Sequence, residues 1–157
     1  MKGETAQMTD ELFLKLEQHL CFVTYACSKE ITRRYRPILD QFGLTYTQYI
    51  TLVVLWEVDP IPMKELGARL YLDSGTLTPL LKKLEAMELI IRKRDLADER
   101  SVLVALTPQG RELKAQVKNI PLRLFEQSRA SAEKLQHIHT QMAELLQMLE
   151  QMEEAEG

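Results

Sequence analysis

Several things are scarce in this sequence, and each shortage removes a class of function. Two cysteines in 157 residues are too few for the disulfide framework of a small secreted protein, and no signal peptide precedes them. The expected setting is therefore reducing cytoplasm, where a thiol stays a thiol unless it has a redox task. No apolar run approaches the ~20 residues that a membrane span requires, so no membrane partner is expected. The glycines form no phosphate-cradling loop, no serine sits in a nucleophile elbow, and no carboxylate pair has supporting context. His137 and His139 lie two apart on a helical stretch and point in opposite directions, so a shared metal is not expected. Enzyme activity is not expected on these grounds, and neither a cofactor nor a metal is called for.

Net positive charge is also missing, yet its distribution matters more than its sum. The chain carries −3, but residues 141–157 hold five glutamates and no lysine or arginine. Setting those five aside leaves the remainder at +2, with its cations gathered at Lys82–Lys83 and Arg92–Arg94. A local patch of this kind can bind phosphate on an acidic protein. At 45% hydrophobic and 27% charged residues, the chain has the composition of one globular domain with a substantial core.

Hydrophobic spacing divides that chain into elements. From Thr9 to Phe42 the pattern is helical, with Leu16, Leu20, Val23, Cys27 and Ile31 on one face and Cys21, Tyr25, Ser28 and Tyr35 on an adjoining one. Pro37 should kink or split this segment, and Gly43 is a natural stop. Thr45 and Gln48 fit a capping box for a helix over about 46–57, and Asp59–Pro62 reads as a break. A short helix, Met63–Leu70, follows. Its Gly67 costs about 1 kcal/mol relative to alanine, which close packing against the next helix would justify. Asp73 or Ser74 caps a fourth helix with Leu77, Leu80, Leu81, Leu84 and Met87 in one stripe. Pro79 is either an interior violation that removes a hydrogen bond to Gly75, or the first-turn residue of a helix starting at Thr78. Both readings stand at this point. Leu89–Arg94 and Ser101–Leu106 read as strands around the polar loop Asp95–Arg100. Thr107 and Pro108 open a helix that Pro121 should bend. A last helix, roughly Ser131 to Gln151, carries Leu135, Ile138, Met142, Leu145, Leu149 and Met152 at alternating steps of three and four, the seam of a helix that pairs with another.

Helix, turn, helix and basic hairpin together make a winged helix. The predicted fold is mainly α with a small β-hairpin wing. One domain is expected over 9–151: a DNA reader at 46–106, with its helix-turn-helix about 63–87 and wing 89–106, flanked by dimerisation helices at 9–45 and 107–151. On the fourth helix Ser74, Thr76, Thr78, Pro79, Lys82 and Lys83 are placed at or in a major groove. There threonines can address bases while lysines neutralise phosphates. Arg92 and Arg94 add positive charge along the wing, and Arg100 at its tip can enter a narrow minor groove. Asp98 is expected to orient the Arg100 guanidinium. The plainer readings are a solvated helix face in an unrelated helical protein and an exposed turn with an ion pair worth under ~1 kcal/mol.

Cys21 is the other candidate. Most helical cysteines in intracellular proteins are small buried hydrophobes, a description that suits Cys27. Cys21 has Tyr25 one turn away and Tyr35 and Tyr46 near in sequence. Phenolic donors stabilise a thiolate and make it reactive. The two cysteines cannot pair within one straight helix, since six residues rise about 9 Å, beyond the ~7 Å limit for a disulfide.

Four segments carry a resemblance: LCFVTYA at 20–26, GLTYTQY at 43–49, LYLDSGTLTPLLKKLE at 70–85 and RKRDLADERSVLVALT at 92–107. From about Leu12 to Leu149 the chain resembles the MarR family of dimeric winged-helix regulators, and within it the organic hydroperoxide-sensing repressors of the OhrR type. The resemblance implies interlocked terminal helices in a homodimer, a fourth helix in the major groove and Arg100 in the minor groove of double-stranded DNA. It also implies a sensing cysteine at Cys21 with Tyr25, Tyr35 and Tyr46 as partners, some of them across the dimer. No cysteine follows Cys27, so the likeness is to the one-cysteine class, in which a sulfenic acid is trapped by a low-molecular-weight thiol or oxidised further. The expected function is a repressor that senses organic hydroperoxides through Cys21 and then releases a pseudo-palindromic operator. The alternatives are a relative answering to a small phenolic or drug-like ligand, a general oxidative-stress or virulence regulator using the same cysteine, and a scaffold whose winged helix binds protein.

Overall fold

Local hydrogen bonding sets most of the element ends. In a computed structural model describing residues 15–96, 98 and 100–156, the Thr45 hydroxyl accepts the Gln48 amide at 3.3 Å while the Gln48 side chain accepts the Thr45 amide at 2.8 Å. This reciprocal box starts α2 (Tyr46–Glu57) at the predicted residue. Before it runs α1 (Leu20–Leu39), preceded by a single 3-10 turn at Leu16–Gln18 and followed by another at Asp40–Phe42. Gly43 closes the segment at φ 66°, a left-handed conformation that glycine adopts without strain. Pro37 lies inside α1 and does not split it. The predicted start at Thr9 falls outside the described residues.

Two compact units divide the chain, one through Lys118 and one from Asn119 onward. In the first, α2 is the buried centre: Tyr49, Leu52, Val54 and Leu55 are all covered, as are Gln48 and Thr51. A helix that is apolar on several sides needs neighbours on several sides, and α2 touches α1, α3 (Met63–Leu70), α4 (Ser74–Ala86) and α5 (Pro108–Val117). Gly67 explains the closeness of α3 to α4. A Cβ there would stand 2.9 Å from the Leu72 carbonyl oxygen and 3.3 Å from the Leu77 side chain.

The wing holds one strand more than the sequence suggested. β1 (Ile61–Pro62), β2 (Ile90–Arg94) and β3 (Val102–Leu106) form an antiparallel sheet in the order β1-β3-β2. Asp59–Pro62 is thus more than a break: Ile61 pairs with Val104 and Pro62 with Leu103. Proline is tolerated because β1 is an edge strand. Register places Ile90, Val104 and Leu106 together on the buried face.

The junction of α2, β3 and α5 is tied by polar contacts. Trp56 Nε1 donates to the Gly110 carbonyl at 2.9 Å. Asp59 Oδ1 accepts the Leu106 amide at 3.0 Å, and its other oxygen lies 2.5 Å from Arg111. Thr107 caps α5 by accepting the Gly110 amide at 3.0 Å, and its own hydroxyl donates to the Glu88 carbonyl at 2.6 Å.

The second unit contains α6 (Ile120–Glu126) and α7 (Ala132–Glu156). Pro121 does not bend one long helix. It stands in the first turn of α6, where its missing N–H has no partner to lose. On α7 the seam residues Ile138, Met142, Leu149 and Met152 are exposed. Among the described residues no helix is long and apolar enough to cross a membrane.

Candidate nucleic-acid interface and cysteine site

Burial of one stripe of α4 presents the opposite face. Leu77, Leu80, Leu81 and Leu84 are covered, which leaves Ser74, Thr76, Pro79, Lys82 and Lys83 exposed and Thr78 half-buried. Asp73 is the cap. Its carboxylate accepts the Thr76 amide at 2.8 Å and the Thr76 hydroxyl at 3.0 Å, and these bonds hold the carboxyl below its ordinary range. Thr76 therefore offers a ligand acceptor capacity, because its hydroxyl proton is already engaged. Pro79 lies well inside the helix, five residues beyond Ser74, which decides between the two readings of it.

The wing differs from expectation in two details. Arg92 is held rather than presented. Its Nε and NH2 donate to Glu85 at 3.1 and 2.6 Å, and its backbone amide reaches the other carboxylate oxygen at 3.3 Å. The pair ties α4 to β2 and holds the Glu85 carboxyl below its usual range, with Arg92 as the cause. Arg92 thus braces the hairpin through Glu85, a partner that its place in the basic triplet did not reveal. Asp98 also acts differently: its Oδ1 accepts the Arg100 backbone amide at 3.0 Å. With the Ser101 amide donating to the Asp98 carbonyl at 2.8 Å, the carboxylate shapes the turn instead of steering the guanidinium. Arg94 and Arg100 are exposed. Between wing, α3 and the start of α4 lies a groove of about 460 Å³ reached by Arg100, Ser74 and Lys64. Lys64 escaped the sequence reading, although a lysine in the first turn of the helix before the reader was a visible signal.

Both cysteines are free and exposed. Cys27 is therefore not a buried hydrophobe in this chain. The stripe it belongs to is itself uncovered, with Leu16, Leu20, Val23 and Ile31 exposed. Tyr25 shares the face of Cys21 one turn on, and Lys29 Nζ stands 5.5 Å from its ring centroid. Tyr35 and Tyr46 are brought together, edge to face at 5.0 Å between centroids. Tyr49, which sequence reasoning passed over, completes the cluster at 5.8 Å from Tyr35. Its position three residues after Tyr46 on one helix was the available clue. The cluster does not meet Cys21 of the same chain, because the fourteen residues from Cys21 to Tyr35 rise roughly 21 Å along α1.

Burial, reinforced by Tyr49 and Tyr46, pushes the Tyr35 phenol up to about 12. It stays a neutral donor at any physiological pH. The sign of its effect on stability follows. An unfolded tyrosine ionises near pH ~10, while the folded one keeps its proton, so folding loses stability as pH rises from about 10 to 12. Tyr35 should account for about 2 kcal/mol of that loss by pH 12. Urea melts of Tyr35→Phe between pH 8 and 12 should show a shallower decline than the wild type. Parallel declines would remove Tyr35 as its source.

The comparisons with known proteins agree with this geometry. The profile of the family described as Transcriptional regulator SarA/Rot matches residues 33–117. The Organic hydroperoxide resistance transcriptional regulator of Bacillus subtilis (strain 168) is 46% identical over 138 residues, covering 88% of this chain and 94% of that protein. The HTH-type transcriptional regulator SarZ of Staphylococcus saprophyticus is 46% identical over 112 residues, covering 71% and 77%. Among solved structures, reduced AbfR bound to DNA superposes with a TM-score of 0.72 at 31% identity, over 88% of this chain and 96% of that one.

Proposed function

The chain belongs to the MarR and SarA family of winged-helix transcriptional regulators, and on that premise we propose a homodimeric repressor that holds a pseudo-palindromic operator while Cys21 is reduced. An organic hydroperoxide oxidises Cys21, a small thiol caps it in the reducing cytoplasm, and the operator is released. One observation carries the sensor half. Cys21 is exposed with Tyr25 one turn away, while the cluster of Tyr35, Tyr46 and Tyr49 lies roughly 21 Å along the same helix, so the thiol and that cluster can act together only between two copies. The uncovered apolar residues of α1 and the exposed seam of α7 supply surfaces for that pairing. The reading half draws on Ser74, Thr76, Thr78, Pro79, Lys82 and Lys83 of α4, on Arg94, and on Arg100 at the wing tip.

The chemistry runs in two steps. The Cys21 thiolate attacks the distal peroxide oxygen; the S–O bond forms, the O–O bond breaks, and the alkoxide leaves to take a proton from water. Sulfur loses two electrons to the peroxide, which becomes an alcohol. A thiol then displaces water from the sulfenic acid to give a mixed disulfide. A bulky adduct between the copies shifts two readers whose half-sites stand roughly 34–36 Å apart.

The test uses a duplex selected from a random library by the reduced protein. Hydroperoxide with a small thiol should weaken binding by a factor of about 5 to 150, with a single adduct mass on Cys21 and none on Cys27. Release without a mass change at Cys21 would refute the sensor. Arg100→Ala should cost about 1–3 kcal/mol of operator affinity; an unchanged Kd would remove the wing from the interface.

A further inference from the structure

The first turn of α4 carries two hydrogen-bond acceptors whose character is fixed by their neighbours. Asp73 fixes the first. Its Oδ1 accepts the Thr76 amide at 2.8 Å, and its Oδ2 lies 3.0 Å from the Thr76 hydroxyl. A carboxylate has no proton to give, so the threonine is the donor in that second bond. What the Thr76 oxygen can still offer a ligand is its lone pairs. Pro79 fixes the other acceptor. It has no N–H, so the Gly75 carbonyl lacks the partner that the residue four positions on supplies in an unbroken helix.

Both lie on the uncovered side of α4. Gly75, Thr76 and Pro79 are exposed, and a groove of about 610 Å³ between the start of α2 and α4 runs past Thr76, Pro79 and Lys83. A Cβ on Gly75 would meet only the Asp73 carboxylate, so another molecule can approach the backbone closely there. In a major groove this chemistry discriminates. Adenine N6 and cytosine N4 donate, whereas guanine O6 and N7 and thymine O4 accept. A hydroxyl whose proton is already engaged bonds to the first kind alone. Donation to a charged carboxylate also polarises the Thr76 oxygen and strengthens the bond that it accepts. The same negative charge repels the carbonyl of a wrong base.

We propose that Asp73 and Thr76 together set the base preference of α4, with Thr76 accepting from the exocyclic amino group of an adenine or cytosine in each half-site. Asp73 acts as a positioning residue: it holds the hydroxyl proton away from the base and does not touch the base itself. The inference rests on the placement of α4 in the major groove made above, and adds the direction of the hydrogen bond and the class of base.

The experiment uses the full-length reduced protein and the duplex selected by it. Adenines are replaced one at a time by purine and cytosines by 2-pyrimidinone, which deletes the amino group and keeps the ring. At one position in each half-site the deletion should weaken binding about three- to tenfold. In Thr76→Val, which has the same shape without the hydroxyl, that deletion should matter by less than about twofold. Thr76→Ser should restore the wild-type penalty. Asp73→Asn keeps the helix cap, because asparagine serves there as well as aspartate. Its amide turns a donor toward the Thr76 oxygen and frees the hydroxyl proton, so the penalty should vanish. A duplex selected afresh by Asp73→Asn should carry guanine or thymine at that position. A deletion map with no position that depends on Thr76, or an Asp73→Asn protein that keeps the wild-type base, overturns the proposal while leaving α4 in the groove. Operator affinity unmoved both by Thr76→Val and by Lys82→Ala combined with Lys83→Ala overturns the placement of α4 as well.

Discussion

Serine in place of Cys21 is expected to leave operator binding by the reduced protein within about twofold of wild type and to abolish its loss on treatment with hydroperoxide. The first half follows from size and place. Serine exchanges one sulfur for an oxygen on α1, at a position exposed within its own chain, and leaves the reading face of α4 untouched. The second half follows from chemistry, since a serine hydroxyl does not attack a peroxide oxygen. The coupling to be lost is about 1–3 kcal/mol, large enough to read by anisotropy with a labelled duplex. Cys27→Ser, made in parallel, should respond as wild type does, although Cys27 is exposed too. A Cys21→Ser protein that still releases DNA under hydroperoxide would transfer the sensing role elsewhere.

Alanine at Gly110 should be among the most damaging single-methyl additions in the chain. A Cβ there would stand 2.1 Å from the Leu89 carbonyl oxygen and 3.1 Å from the Leu106 side chain. Two effects oppose each other. Alanine gains about 1 kcal/mol of helix propensity over glycine, but a backbone oxygen cannot swing aside as a flexible side chain would. Relief requires α5 to withdraw, which strains the Thr107 amide bond to Leu89 at 3.1 Å and the Trp56 bond to the Gly110 carbonyl. Overpacking wins, with a net loss of about 3 kcal/mol and a fall in Tm of about 6–12 °C for a chain of this length, compared at equal protein concentration. Gly75→Ala is the control: its Cβ meets only the Asp73 carboxylate, at 3.0 Å. A Gly110→Ala protein melting within 2 °C of wild type would show that the junction yields.

What could be read in advance divides by the range of the interaction. Thr45 with Gln48, Asp73 with Thr76, and Thr107 with Pro108 act within a few residues, so their helix starts were legible from the residue types alone. The buried stripe of α4 was legible for the same reason, and with it the exposed threonine and lysine face. β1 was not. Ile61 and Pro62 become a strand only through Val104 and Leu103, some forty residues later, and a proline pair standing alone signals interruption. Arg92 looked like a free cation because its partner Glu85 lies in a different element, and only the packing of α4 on β2 brings them together. Asp98 was correctly tied to Arg100, but a carboxylate can serve either a side chain or a backbone amide, and turn geometry decides which. Cys21 and its tyrosines were recognisable by type and order. The distance from Cys21 to the cluster around Tyr35 was implicit in the helix rise, and under the proposed function it makes sensing a question about two chains rather than one.

Trp56 is the only tryptophan in the sequence, and its indole N–H is bonded across the seam to Gly110 while its ring lies 6.4 Å from Tyr49. The molecule thus contains its own fluorophore, set between the reader and α5 and within energy-transfer reach of the tyrosine cluster. Any sliding of α5 along α2 alters the polarity around that indole and the efficiency with which tyrosine excitation feeds it. Under the proposed function, a motion of α5 on operator release would therefore be timed in a stopped-flow cuvette on unlabelled material.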